Sequence, residues 1–461
     1  MSAIKKEVPD LLPIVYSIFG AFSILCAILQ FWAHRIRRDE AIGNNPQFLK
    51  FQRGYYIVYL IAMFADWLQG PYLYKLYSYY GFQEEQIAIL YVFGFASTVI
   101  LGTWTPIAAD QFGRKKLCLI FTVIYSLSCL LKLSRSYGLL IIGRVLGGVA
   151  TSVLFSAFEA WYAHEHIETH DFPKEWISVT FAKASFWNGL LAVLAGMTTN
   201  VFSEWFGLGP VAPYMMAVPF LIFVGIIIST HWNENYGAHK INFSKSCCEG
   251  LRNILSSEKI FMIGAIESLF ESVIYIVIFL WTPILDTGHS ALGLIFASFM
   301  ISILIGQAVF HILASRRIPV VTMLLSSTGL AILANIICAI ACHPDKRDII
   351  SSYLAFLLFQ FSVGVYFPAM GFLRTQIIPE NFRYSIMNWF RIPLNLISCA
   401  VLMLLHEDVF QHGNRMIFVI CVFLLFLALL SGLRFLKLSK GDEEMKQDMY
   451  MMESERIHNI F

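Results

Sequence analysis

Lys75, Arg144, Lys183 and Arg391 lie inside stretches of the chain that are otherwise apolar enough to sit in lipid. A charged side chain in hydrocarbon costs at least about 2.5 to 3.5 kcal/mol, so such residues face a partner or a water-filled path. Four acids share these stretches: Asp66, Glu159, Glu267 and Glu271. Four cations with four anions permit two chemistries. Cations left free can hold an anion, arginine through a two-pronged fork and lysine as a point charge. Cations matched to resident carboxylates instead tie helices together. Glu267 and Glu271 are four residues apart and project from one helix face. Proton coupling is therefore a role open to them and to Asp66, with structural ion pairing as the alternative.

The elements that position these residues follow from composition and hydropathy. Hydrophobic residues make up 57% of the 461, charged residues 14%, and mean hydropathy is +0.66, whereas soluble domains carry about 25% charged residues. The chain reads as an all-α protein that crosses a lipid bilayer many times. Runs long enough to span about 30 Å of hydrocarbon occur at roughly 11 to 32, 55 to 80, 86 to 108, 117 to 134, 138 to 163, 177 to 200, 211 to 230, 259 to 284, 291 to 313, 319 to 341, 350 to 373, 384 to 406 and 415 to 437. The first stands apart, and the other twelve split six and six. The expected organisation is an extra span with a basic loop over 1–54, a six-helix bundle over 55–230 and a polar linker over 231–258. A second bundle over 259–437 and a solvated tail over 438–461 complete it.

Short cytoplasmic loops retain Lys and Arg. Counting alternate loops, one side collects Arg35, Arg37, Arg38, Lys50, Arg53, Arg114, Lys115, Lys116, Lys174, Lys240, Lys245, Arg252, Lys259, Arg316, Arg317, Arg374, Arg383 and the tail cations. The other side holds only Lys132, Arg135, Lys346, Arg347 and Arg415, with Lys5 and Lys6 at the start. The twelve-span body then begins and ends in the cytoplasm, and the first span places the N-terminus outside. That span is too long and too heavily basic after its apolar run for a cleaved signal, so it reads as a retained anchor. The sequon at Asn242 falls on the cytoplasmic side and should stay unglycosylated. Nine cysteines show neither metal-ligand spacing nor a secreted framework. The Cys247-Cys248 pair is open to acylation or stays reduced.

Depth within the spans sorts the cations. Lys183 lies about six residues into core helix five and Arg391 about seven into core helix eleven, equivalent helices of the two halves. A two-fold relation would set them across a central cavity, where they could clamp a dianion. Asn388, Trp389 and Tyr366 are candidate donors beside them. Lys75 follows Gly70-Pro71, a step able to break the helix; it is a candidate outer attractor or a snorkelling interface residue. Arg144 reads as packing or gating.

Between the third and fourth spans stands Gly102-Thr-Trp-Thr-Pro-Ile-Ala-Ala-Asp110-Gln-Phe-Gly113-Arg114-Lys115-Lys116, which resembles the loop signature of the major facilitator superfamily. Pro106 occupies a place where glycine is usual, and Gln111 one where a basic residue is usual. Arg144-Val-Leu-Gly147-Gly148 resembles the superfamily's arginine-glycine pattern, and Ala314-Ser-Arg316-Arg317 is a faint repeat in the second half. Asp110, Gly113, Arg114 and Arg144 are thereby candidate conformational residues. The strings Asp66-Trp-Leu-Gln-Gly-Pro-Tyr-Leu-Tyr-Lys75, Phe158-Glu159-Ala-Trp-Tyr162, Leu269-Phe-Glu271-Ser, Phe279-Leu-Trp-Thr-Pro283, Val365-Tyr-Phe-Pro368 and Asn388-Trp-Phe-Arg391-Ile-Pro resemble those of the molybdate-anion transporter family. The resemblance implies the major facilitator fold and uptake of molybdate, a tetrahedral dianion, across the plasma membrane.

A dianion entering against a negative interior opposes about 4.6 kcal/mol per 100 mV, twice the single-charge value of roughly 2.3. Proton symport would offset this. Two other readings stay open: a transporter of the same fold for another solute, and a receptor or trafficking partner that retains the bundle without transport. No nucleotide-binding loop or nucleophile constellation suggests an enzyme, and no cofactor, metal or nucleic acid is expected. No feature of the sequence sets an oligomeric state.

Overall fold

A computed structural model describes residues 11–36, 45–102, 104–237, 243–288, 290–343, 346–379, 382–404 and 415–458. The extra span is α1 (Leu11–Ile36). Core helix one starts where the Asn45 side chain accepts the Gln47 and Phe48 N–H groups and Pro46 fills the first turn, giving α2 (Pro46–Gln69). At Gly70-Pro71 the helix tightens into one 3-10 turn and resumes as α3 (Leu73–Tyr79). Proline supplies no N–H there, so the ladder has to be re-registered.

The first half continues with α4 (Glu84–Gly102), α5 (Thr105–Phe112), α6 (Arg114–Leu131), α7 (Tyr137–Leu154), α8 (Ala157–His164), α9 (Glu175–Asn200) and α10 (Ala212–His231). The second half follows as α12 (Glu258–Leu285), α13 (Leu292–Ser315), α14 (Val320–Ala341), α15 (Ile349–Ile377), α16 (Arg383–Met403) and α17 (Arg415–His458). Among the described residues, eleven helical segments are long and apolar enough to cross a membrane by themselves. The interrupted α2–α3 pair and α6, which opens on three cations, bring the spans to thirteen. Twelve form the core and one is extra, as the hydropathy predicts.

Two features differ from expectation. The polar linker contains a helix, α11 (Phe243–Ser256), which packs on α16 and α12. The tail does not end the last helix, because α17 runs on to His458. The segment after Lys440 is rich in Glu and Met, which favour helix, and contains no proline. Asn242 and the N-terminal Lys5 and Lys6 lie outside the described residues.

The packing repeats between the halves. In the first, α2 lies against α9 and α10, α4 against α7, and α6 against α7 and α10. In the second, α12 lies against α16 and α17, α13 against α15, and α14 against α15 and α17. The two halves meet reciprocally, α4 on α16 and α9 on α13. That is the pairing two related six-helix units produce.

Close helix approach uses glycine at matching places. A Cβ added at Gly148 of α7 would stand 2.6 Å from the Gly94 carbonyl of α4, and one at Gly306 of α13 would stand 3.0 Å from Gly364 of α15. Between the halves, a Cβ at Gly196 of α9 would stand 2.7 Å from the Gly293 carbonyl of α13. Small residues let membrane helices approach this closely.

The extra helix packs on the second half, although it precedes the first in sequence. Gln30 donates to the Leu304 carbonyl at 2.9 Å. Cys26 packs with Ala297 and Ile301 and touches the cluster containing Val193, while Ala33 packs with Ala308 and Ile312. Its other face leaves Ile24, Ile28 and Phe31 exposed.

Candidate functional site

On α12, Glu267, Glu271 and Tyr275 fall at i, i+4 and i+8 and share one stripe. α15 packs beside it and is itself held on α13 by Ser302 and the glycine pair. Arg374, in the last turn of α15, donates to Glu267 Oε1 at 3.1 Å, and the acid's side chain is 3% exposed. Glu267 Oε2 is buried without a hydrogen-bond partner. Tyr366 donates from its hydroxyl to Glu271 Oε1 at 3.3 Å and stacks on Phe270 with centroids 3.9 Å apart. Tyr275 stacks on Phe95 of α4 at 4.8 Å, so an aromatic pair from both halves lies over one end of the stripe.

Arg391 on α16 completes the group. Ser268 and Ser272 of α12 donate to the Phe390 and Leu394 carbonyls and fix how α16 is turned. Arg391 then acts electrostatically on Glu267, Glu271 and Tyr275. It is exposed and forms no ion pair among the described residues. Asn388 and Asn395 lie within about 60° of it round the helix. Leu396 and Met403, both exposed apolar residues, lie about 120 to 140° away round the helix, on an arc suited to lipid. The surface Arg391 reaches is therefore interior. Trp389 is on that other side, partly buried against the core.

The structure does not bring Lys183 to this group. Phe181 of α9 faces Tyr55 and Tyr162, inside the first half. Asn188 accepts from Trp67 Nε1 at 2.7 Å, also inside. Lys183 lies about 200° round the helix from Phe181, on the side of exposed Trp187 and Leu194. It is itself exposed.

In the first half, Asp66, Lys132, Glu159 and Arg144 form no direct ion pair with one another among the described residues. Asp66 accepts a short hydrogen bond from the Tyr125 hydroxyl. Lys132, which sequence position assigns to a loop, is 3% exposed, donates to Gln69 Oε1 at 2.7 Å and sits over the Tyr214 ring at 5.0 Å. Glu159 is partly buried near Tyr55 and Tyr59. Arg144 donates to the Leu90 carbonyl at 3.1 Å and lies over the Tyr91 ring at 5.0 Å, occupying the space above Gly94.

The two ends of the molecule differ. At one end, Lys75 of α3 pairs with Asp286, the residue that ends α12. Tyr74 and Tyr91 both pack edge-on against Phe279 there, at 5.4 and 5.1 Å. Trp67 packs on Phe296. These contacts join the halves. At the other end, the loop between α5 and α6 is held within the first half. Gly113 has φ of 104°, which suits glycine. Arg114 donates to Asp110 Oδ1 at 2.7 Å and to the Ala160 carbonyl at 3.2 Å. Glu234 accepts the Lys115 and Lys116 N–H groups at 2.8 and 3.1 Å, capping α6 with a negative charge.

A closed aromatic end, a loop latched by Asp110 and Arg114, and buried charges in the second half together describe a two-bundle carrier. A family model described as sugar transporters, 12 TM, matches residues 14–361. The molybdate-anion transporter of Xenopus laevis is 43% identical over 88% of this chain and 90% of its own length. This chain belongs to the molybdate-anion transporter family. A second member of that family, from Xenopus tropicalis, is 42% identical over 94% of this chain and 96% of its own. Among solved structures, the nucleoside transporter NupG superposes with a TM-score of 0.64 at 11% identity, covering 84% of this chain and 99% of that one. The D-xylose-proton symporter gives 0.63 at 11% identity, over 84% and 97%. These likenesses give the major facilitator fold. Molybdate-anion transporter family members are transporters rather than enzymes, and the strings around Asp66, Glu159, Glu271 and Arg391 pointed to that family.

Three charged residues of this chain could not be placed in the site from the sequence: Arg374, Lys132 and Asp286. Each lies at the end of a span, where it counts as a loop charge. The usable signal for Arg374 is helical phase, since eight residues separate it from Tyr366 and set both on one face of α15.

Proposed function

We propose that this chain carries molybdate, or another tetrahedral oxyanion, into the cell across the plasma membrane by alternating access. The observation that carries the reading is Arg391, an interior guanidinium without an ion pair among the described residues. Glu267 and Glu271 lie within its electrostatic reach, yet among the described residues neither holds it in a direct ion pair, so its fork stays available to an entering anion. Arg374 lies on the same acids and can add a second fork. The naming of relatives as molybdate-anion transporters supports the same substrate class. A neutral sugar, which the wording of the family model suggests, carries no charge for two arginines to balance.

Orientation follows from the loop charges. The Arg114 end carries the excess of Lys and Arg and is cytoplasmic, which sets the N-terminus outside and the Lys75 end toward the exterior. With the Lys75 end joined between the halves, the arrangement corresponds to an inward-facing state. Labelled molybdate uptake, with sulfate as competitor, tests the reading in cells expressing wild type, Arg391→Ala and Arg374→Ala at matched surface levels. Saturable uptake lost in both variants is expected. Undiminished uptake in both would overturn it.

A further inference from the structure

Four charges meet on the interior side of α12: Glu267 and Glu271 against Arg374 and Arg391. The groups facing the acids come from every neighbouring element. α15 supplies Arg374 and Tyr366, α16 supplies Arg391, α12 itself supplies Tyr275, and α4 brings uncharged Phe95. Among the described residues, no charged group of α17 or α11 acts on either acid. With both acids ionised, the group is neutral. Arg374 is committed to one oxygen of Glu267, whereas that acid's second oxygen is buried and unpartnered.

A dianion arriving at Arg391 upsets this balance. It needs a second fork, and Arg374 is the neighbour able to give one. Glu267 would then lose its partner and stand as a buried bare carboxylate, which is the costly outcome of breaking such a pair. One proton on Glu267 removes that charge. A second on Glu271 restores neutrality, because two guanidiniums then balance one dianion.

The geometry points to an exchange in which the anion takes Arg374 from Glu267 while Glu267 and Glu271 each bind a proton, so that one dianion crosses with two protons and no net charge. The inference rests on the anion-transport reading above. Both protons come from water at the open end and leave to water at the other, when Glu267 reclaims Arg374 and expels the anion. Resident carboxylate and substrate thus compete for one guanidinium.

The test uses the purified full-length protein in liposomes, with labelled molybdate and separately imposed pH and potassium-valinomycin gradients. With the substrate-entry side one pH unit more acidic, accumulation should approach about a hundredfold, each proton contributing about tenfold. An imposed potential alone should drive nothing. Glu271→Gln should lower the limit to about tenfold and make uptake voltage-sensitive. It should still exchange labelled for unlabelled molybdate, which shows that the variant is folded and binds substrate. Voltage-driven uptake by wild type that ignores the pH step would overturn the inference while leaving anion transport intact. Absence of both uptake and exchange in wild type would overturn the transport reading and the inference with it.

Discussion

Lys75 on α3 and Asp286 at the end of α12 form an ion pair that crosses from one six-helix half to the other. Their side chains are 27% and 17% exposed, so water screens the pair and its contribution is about 1 kcal/mol. That is a roughly fivefold bias toward the state in which this end is closed. Asp286→Ala should speed hydrogen exchange in Leu73–Tyr79, and so should Lys75→Ala. The double exchange Lys75→Asp with Asp286→Lys should slow it again. Failure of the double variant to recover would mean that the pair does not hold the end shut.

Arg391 and Lys183 should behave differently despite their similar depth. Removing Arg391 deletes a charge-assisted fork to the anion, about 1.5 to 3 kcal/mol, and should weaken apparent molybdate affinity roughly 10- to 100-fold. Arg391→Lys should retain part of it. Lys183→Ala should leave uptake near wild type, because Lys183 is turned away from the side of α9 on which Phe181 and Asn188 pack into the first half. Equal losses in both variants would restore the symmetric clamp that span depth alone suggests.

The contrast marks how far the sequence could be read. Thirteen spans, the six-and-six division and the family were legible, because apolar runs and long motif strings survive without coordinates. Depth along a helix was legible too, but rotation about its axis was not. Lys183 and Arg391 match in depth and differ in which way they face. Arg374 was lost through a boundary set four residues early, at 373 instead of Ile377, which turned a buried partner of Glu267 into a loop charge. Lys132 was lost for another reason: it falls at the end of the span read at 117 to 134 and was counted with the loop charges, and its partner Gln69 is 63 residues away, so nothing local announces it.

Glycine pairs should be as demanding as any charge. Gly148→Ala puts a methyl 2.6 Å from the Gly94 carbonyl, and Gly364→Ala puts one 2.9 Å from the Ile303 Cα. Backbone cannot give way as a side-chain tip does, so each should cost about 1 to 3 kcal/mol by overpacking. Melting curves of the detergent-purified variants should shift downward for both. Gly329→Ala, where a methyl meets nothing within 4 Å, serves as the control.

Glu234 should matter to the loop latch more than its place after α10 suggests. Its carboxylate caps α6 through two N–H groups and lies against Gly113. Glu234→Ala should cost about 1 kcal/mol of local stability. Limited proteolysis between Phe112 and Lys116 should quicken, while Glu234→Asp should preserve much of the protection. An unchanged digestion pattern would show that Arg114 and Asp110 hold the loop unaided.

Helices that interlock by long side chains must unthread before they part, with many rotamers changing together. At Gly196 and Gly293 nothing is threaded, since backbone lies on backbone across the boundary between the halves. The halves meet there as two smooth plates. Separation at that point needs no rotamer to flip, so resistance to switching sits instead in the removable ornaments around it, the Lys75–Asp286 pair and the rings gathered on Phe279. Evolution could then retime the carrier by changing a few side chains and leave the bearing surface alone.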